Sequence, residues 1–359
     1  MNERRAEPGG HGHGHGHGHG HGRGVRWGAR LRHLLVPHSH DLADAVDDHL
    51  VASREGMRTL WGSFAALLLT AALQLAVVAG TGSAALLSDG LHNVADALSA
   101  LPIAVAFLLG RRAPTPRFPY GFGRAEDLAG LAVVVLIAVS VLLAGAESVQ
   151  RLIDPAQVQH TWAVAVAALV GFVGNEAVAR WRIRVGHRIG SAALVVDGLH
   201  ARADGLTSLA VLIAAGGSAL GWHWVDPVTG LGVTAAIVAV LVGAGRQVFG
   251  RLLDAVEPEA LRTARTLAAA TPGVLDVEQV RLRWSGHGQF AELTIVVDRD
   301  ASLVQAHRLA HEVEHRLLHG MPHLVHAHVH PHPAPVPGTD DHAPVAHHVR
   351  ALWTRDRAR

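Results

Sequence analysis

Asp89-Gly90-Leu91-His92-Asn93-Val94-Ala95-Asp96-Ala97-Leu98 and Asp197-Gly198-Leu199-His200-Ala201-Arg202-Ala203-Asp204-Gly205-Leu206 are two copies of one decamer, identical at seven of ten positions. Each copy sets a His and an Asp four residues apart, so on a helix the two side chains share one face, one turn apart. Each copy also sits in a long apolar run, near 84–110 and 192–219. Four more such runs lie near 60–81, 127–146, 161–180 and 226–245. A helix needs about 20 apolar residues to cross a ~30 Å hydrocarbon layer, and six runs of that length predict six transmembrane helices. Their richness in Ala and Gly suits close helix–helix approach in lipid, where packing rather than hydrophobicity drives association.

Composition agrees with the patterning. The 359-residue chain is 49% apolar and only 17% charged, with a formal net charge of +1, 28 His, and neither Lys nor Cys. Lacking cysteine, it is not a disulfide scaffold, an iron–sulfur protein or a thiolate zinc finger. An aromatic content of 4% and basic residues in short clusters between apolar runs give no support for nucleic-acid binding. Those clusters instead set an orientation. Arg23, Arg26, Arg30, Arg32, Arg54 and Arg58 precede the first run; Arg111, Arg112, Arg117 and Arg124 follow the second; Arg180, Arg182, Arg184 and Arg188 follow the fourth; Arg246 and Arg251 follow the sixth. The opposite loops carry Arg151 and little else, so the positive-inside rule puts both termini in the cytoplasm. With no apolar run in residues 1–58, no cleavable signal is expected and the first span targets the chain to a cell (inner) membrane.

Past the sixth run the pattern becomes that of a small soluble domain. Glu259 to Ala270 reads as a helix ended by Thr271-Pro272-Gly273, and Val274 to Trp284 as a strand. Ser285-Gly286-His287-Gly288 is turn chemistry and Phe290 to Val297 a second strand. Ser302 caps a helix to about His319, and Leu324 to His330 is a last strand, making an αββαβ sandwich. The organisation expected is a His-rich, partly disordered cytoplasmic region 1–58, a six-helix membrane domain 59–250, a cytoplasmic metal-binding and dimerisation domain 251–332, and a disordered tail 333–359.

Two decamer helices facing each other would present His92, Asp96, His200 and Asp204 to one point. Two imidazoles and two carboxylates suit a tetrahedral Zn²⁺, while Co²⁺, Ni²⁺, Fe²⁺ and Mn²⁺ share the same donor preferences. Ionisable groups in a span cost several kcal/mol each unless paired, and a divalent cation satisfies all four. The plainer alternative is two Asp–His hydrogen bonds tying the helices together. Because only neutral imidazole binds metal, protons compete with the cation, and exchange of protons for metal follows. Asp89 and Asp197, one turn earlier, read as an entry shell, as carboxylates orienting the imidazoles, or equally as helix-end residues at the water boundary. Asn175 and Glu176 in the fourth run read as a proton path or, more simply, as a buried polar pair satisfying a neighbouring helix.

These residues resemble the cation diffusion facilitator family of six-helix metal-efflux transporters with a cytoplasmic ferredoxin-like domain. The carriers are Leu87 to Asp96, Tyr120-Gly121-Phe122-Gly123-Arg124-Ala125-Glu126, His200 to Asp204 and Asp226-Pro227, within a likeness spanning 60–332. The resemblance implies a transport site at His92, Asp96, His200 and Asp204, zinc preference from His rather than Asp at the first ligand, and a homodimer whose cytoplasmic domains bind further cations. It also makes His307, His328 and His330 ligands of that domain. Glu278 and Thr294 stand where some members have His, and His287 in the hairpin turn is a substitute.

Of the remaining histidines, His307, His311, His315 and His319 recur every fourth residue, a stripe that drifts around the helix and so builds no single site. His11 to His21 alternate with Gly on a backbone too flexible to fold, a loose metal-buffering tract. The expectation is a non-enzymatic exporter of divalent cations, chiefly Zn²⁺, in exchange for protons, with no organic cofactor. The rivals are a membrane metalloenzyme, disfavoured because four protein ligands leave no open position, and a metal sensor without flux.

Overall fold

A computed structural model describes residues 42–81, 98–153, 161–222, 224–339, 341 and 343. His92, Asp96, Asp89 and the His–Gly tract lie outside them. Six helices come first: α1 (Leu42–Thr81), α2 (Ala100–Gly110), α3 (Arg124–Ile153), α4 (Thr161–Ile189), α5 (Ala192–Ala219) and α6 (Val225–Leu252). Four hold segments long and apolar enough to cross a membrane: Val51–Val77, Arg124–Leu143, Trp162–Ile189 and Val228–Leu252. Helix α2 is apolar but short, beginning just past residues 82–97. Helix α5 is long enough, but Asp197, His200, Arg202 and Asp204 lower its hydropathy.

Helices α4 and α5 form the most extensive helix pair. Small residues allow it: a Cβ on Gly198 would lie 2.7 Å from Ile183 Cγ1, and one on Gly186 would lie 2.7 Å from Val195 Cγ2. On α1, Thr70 takes the space beside Gly174 in the same way. Such approach maximises van der Waals contact where lipid supplies no hydrophobic drive. The core between α2, α3, α5 and α6 is filled by Ile103, Phe107, Ile137, Leu194 and Ile237, all inaccessible or nearly so. Leu142, Leu143, Val173 and Val228 point outward, as a lipid-facing surface requires. Helix α4 runs nine residues past the apolar run expected at 161–180, which carries Arg182 from a flanking loop into the bundle, where it is buried.

The C-terminal unit follows the expected order: α7 (Pro258–Ala269), β1 (Asp276–Ser285), β2 (Gly288–Val297), α8 (Leu303–Gly320) and β3 (Leu324–Pro333). Strands β1 and β2 pair antiparallel and β2 and β3 parallel, in the order β1-β2-β3. The sheet buries Val277, Leu282, Ala291, Leu293, Ile295 and Ala327 against Ala264, Ala268, Val313 and Leu317 of α7 and α8. The cap on α8 is a full capping box: Ser302 Oγ accepts from Gln305 N–H, and Gln305 Oε1 accepts from Ser302 N–H. The β1–β2 turn needs its glycine, because Gly286 has φ +61° and a Cβ there would lie 2.9 Å from Gly123 O.

Candidate metal site and its supporting residues

Helix α5 carries His200 and Asp204 on one face, as the four-residue spacing demands. Both are buried, and His200 Nε2 lies 3.8 Å from Asp204 Oδ2. Two polar groups so placed in an apolar bundle are costly unless something binds them. The other two expected ligands, His92 and Asp96, lie outside the described residues. Ser99, three residues after Asp96, is described, and its hydroxyl donates to Asp197 Oδ1 at 3.1 Å. Asp197 is three residues before His200. The end of the first decamer's segment is therefore tied directly to the start of the second decamer.

Asp197 is not a helix-end residue at the water boundary. It is fully buried and forms an ion pair with Arg182 of α4, Nη1 to Oδ2 2.8 Å. Arg182 Nε also donates to Ser63 Oγ of α1 at 2.8 Å, and Ser63 Oγ donates to Leu60 O. The cluster thus binds α1, α4 and α5 to the residue preceding α2. Arg182 had counted in the sequence only as a flanking charge. The readable signal was an Arg fifteen residues before an in-span Asp, far enough to fold back across a helix–turn–helix.

Glu176 does meet a neighbouring helix, as expected of a polar pair in this run. It is engaged by Arg180 (2.8 Å) and by Arg202 of α5 (3.3 Å), which lies between His200 and Asp204. Asn175 is buried with its Cβ-bearing side against Gly205, and its Nδ2 has no hydrogen-bond partner among the described residues.

The four histidines expected in the cytoplasmic domain do not converge. His287 sits at the hairpin tip, buried, 2.9 Å from Glu126 Oε2 of α3, with its ring edge-on to Phe107. Its place is at the junction of the two domains. His328 and His330 pair in register with Glu292 and Thr294, four to six residues along β2, or about 13–20 Å from the turn at ~3.3 Å per residue. They project from the open face of the sheet, opposite the helices, whereas His307 is exposed on α8 beside His311. One chain therefore does not bring His307 to His328. On the sheet, His332 Nδ1 lies 2.9 Å from Glu278 Oε2, with its ring 4.7 Å from that of His330. Among the described residues no three His, Asp or Glu side chains are set to hold a metal ion.

The junction itself was not foreseen. Glu126 and Asp127 are buried at the start of α3, and Arg251 at the end of α6 donates to Gly190 O (2.8 Å) and Gly286 O (3.0 Å). Its guanidinium also covers the Trp284 ring at 4.0 Å. Arg124 pairs with Asp254 and donates to Arg251 O. A cavity of about 420 Å³, lined by His187, Arg251, Glu257, Trp284 and His323, opens beside it. Burial, then the positive Arg251 and His287, hold the His323 imidazole below its usual range.

Comparison with known proteins gives consistent matches. Residues 60–253 match the cation efflux transmembrane domain and residues 256–334 the cytoplasmic domain of cation efflux proteins. A Mycobacterium tuberculosis H37Rv protein named a probable cation efflux system protein is 54% identical over 83% of this chain and 90% of its own length. The cation-efflux pump FieF of Klebsiella pneumoniae is 28% identical over 67% of this chain and 81% of its own length. The magnetosome protein MamB of Magnetospirillum gryphiswaldense is 28% identical over 68% of this chain and 82% of its own length.

Proposed function

Because the chain belongs to the cation diffusion facilitator family of divalent-metal transporters, we propose that it exports Zn²⁺ in exchange for protons through a site made of His92, Asp96, His200 and Asp204. The relatives carry transporter names, in line with a non-enzymatic role. The carrying observation is the buried His200–Asp204 pair on a helix tied at Asp197 to Ser99, on the turn that follows Asp96. Spans two and five run in opposite directions across a six-helix bundle. Ser99 is three residues after Asp96 and Asp197 three before His200, so the Ser99–Asp197 bond supports a reading in which the two pairs stand level.

Two neutral imidazoles and two carboxylates give a first-row cation a complete tetrahedral shell. Carboxylates supply the charge that offsets dehydration, and imidazoles favour zinc over the harder Mg²⁺ and Ca²⁺. Loading requires that both rings be unprotonated, so a proton arriving from the opposite side competes the ion off. The chain lies in the inner membrane with both termini cytoplasmic, and its soluble domains pair in a homodimer. The open sheet face carries the exposed row His326, His328 and His330, and a second copy meeting that face would bring a His307 to the row.

Zinc uptake into proteoliposomes tests the coupling. Collapsing a pre-set pH gradient should cut the initial rate severalfold. A rate indifferent to the gradient would exclude proton exchange.

A further inference from the structure

We propose that Ser99, Arg182 and Asp197 form the gate that closes the transport path on the side of the C-terminal domain. The proposal rests on the four-residue site above and adds a moving part to it. His200 and Asp204 are each nearly sealed from solvent, so an ion arriving from the soluble-domain side must pass the turn of α5 that precedes His200. That turn carries Asp197. Its carboxylate is held from two directions, by Ser99 Oγ at 3.1 Å and by Arg182 Nη1 at 2.8 Å, and all three residues are buried, as is Ser63 behind them. The three come from the segment entering α2, from α4 and from α5. Moving the start of α5 away from both α4 and the segment entering α2 therefore breaks both contacts.

Two features separate this cluster from a static tie. Arg182 is incompletely satisfied: Nε reaches Ser63 and Nη1 reaches Asp197, while Nη2 has no hydrogen-bond partner among the described residues. A guanidinium carries five donors, and an inert buried pair would use them. Water entering the opened path would complete that shell, so the open state regains part of what it loses. The pair also places a positive charge on the path only one turn from the cation site. While Arg182 holds Asp197 the carboxylate is neutralised and draws no cation, and once the pair parts Asp197 is left as a negative attractor at the entrance. An ion pair in low dielectric holds firmly when dry and weakens as water reaches it, which makes a two-position element.

The absence of native cysteine allows a direct test on the full chain. Ser208 shares the α5 face of His200 and Asp204 at the next four-residue step, and a single Ser208→Cys there reports access past the gate. In metal-free proteoliposomes of known orientation, a small charged methanethiosulfonate added on the soluble-domain side should label this cysteine slowly. Adding Asp197→Asn should raise that rate by about tenfold, corresponding to about 1.4 kcal/mol removed from the closed state, with the rate from the opposite side not rising. Ser99→Ala, which deletes one hydroxyl and keeps the ion pair, should raise it by a smaller factor in the same sided manner. This second variant covers the case in which Asp197→Asn fails to fold. A Ser99→Ala rate equal to the parent, or a rise of equal size from both sides, would overturn the gate. Labelling needs no metal, so it is separable from the site itself. If Asp204→Ala leaves zinc flux intact while labelling still shows the sided rise, the site reading fails and the gate stands.

Discussion

Gly198→Ala is the substitution whose cost can be worked most directly from the packing. An added Cβ would lie 2.7 Å from Ile183 Cγ1, 3.0 Å from Ile183 N and 3.1 Å from Ala179 O. The Ile183 side chain can rotate away, but its N and the Ala179 O belong to the α4 backbone, so α4 and α5 must separate. Overpacking of this kind costs ~1–3 kcal/mol. Gly216, on the same helix, is the internal control, because a Cβ there meets nothing within 4 Å. Both positions gain the same helical preference of Ala over Gly, up to ~1 kcal/mol, so the difference between the two variants isolates the packing term. We expect Gly216→Ala to be neutral or stabilised. Gly198→Ala should lie ~1–3 kcal/mol below it, a roughly 5- to 150-fold difference in the unfolding equilibrium. Reversible unfolding in mixed micelles, followed by tryptophan fluorescence, measures this. Zinc affinity should fall in Gly198→Ala alone, because His200 and Asp204 ride on the displaced helix. Equal stability of the two variants would refute the close α4–α5 crossing on which the site depends.

Three further outcomes follow from the junction and the termini. Removing one partner of the buried Glu126–His287 contact, with Glu126→Gln or His287→Ala, should cost ~1–3 kcal/mol and raise amide exchange across residues 285–288; unchanged protection there would show that the contact carries no docking energy. The depressed His323 pKa means that the docked form binds fewer protons than the undocked one near and below the ordinary value of 6.5. Docking should therefore be strongest above that value and weaken as pH falls through it, His323→Asn should flatten the dependence, and a parent profile already flat from pH 7.5 to 5.5 would contradict the assignment. Deleting residues 9–22, which removes the His–Gly tract, should leave transport intact and shift only its dependence on metal concentration; complete loss of flux would end the buffering reading.

Much of this architecture could be read from the chain because lipid imposes simple rules. Uncharged runs of bilayer length announced the helices, and Ser302 with Gln305 announced the start of α8, since both signals are local. The duplicated decamer put His200 and Asp204 on one helix face, as the structure has them, because a His and an Asp four apart have only one geometric meaning on a helix. The pairings that hold the site were another matter. Arg182 looked like one more cytoplasmic arginine until α4 proved longer than its apolar run, and Asp197 gained its partner only through that extension. His287 looked like a metal ligand because it is a turn histidine in a domain expected to bind metal. Its contact is with Glu126, 161 residues earlier, and nothing local encodes that meeting. His307 and His328 lie on opposite sides of the sheet domain because alternation in β3 and the amphipathicity of α8 send them there, a consequence visible only once the helices are seen to cover one face.

The most direct test of the central claim is zinc flux into oriented proteoliposomes for the parent, Asp96→Ala and Asp204→Ala, repeated with Co²⁺, Ni²⁺, Fe²⁺ and Mn²⁺. Each Asp variant should lose transport of every ion the parent carries while keeping its fold, with zinc the best substrate of the parent. Undiminished zinc flux in either variant would show that the two decamers do not grip a common ion.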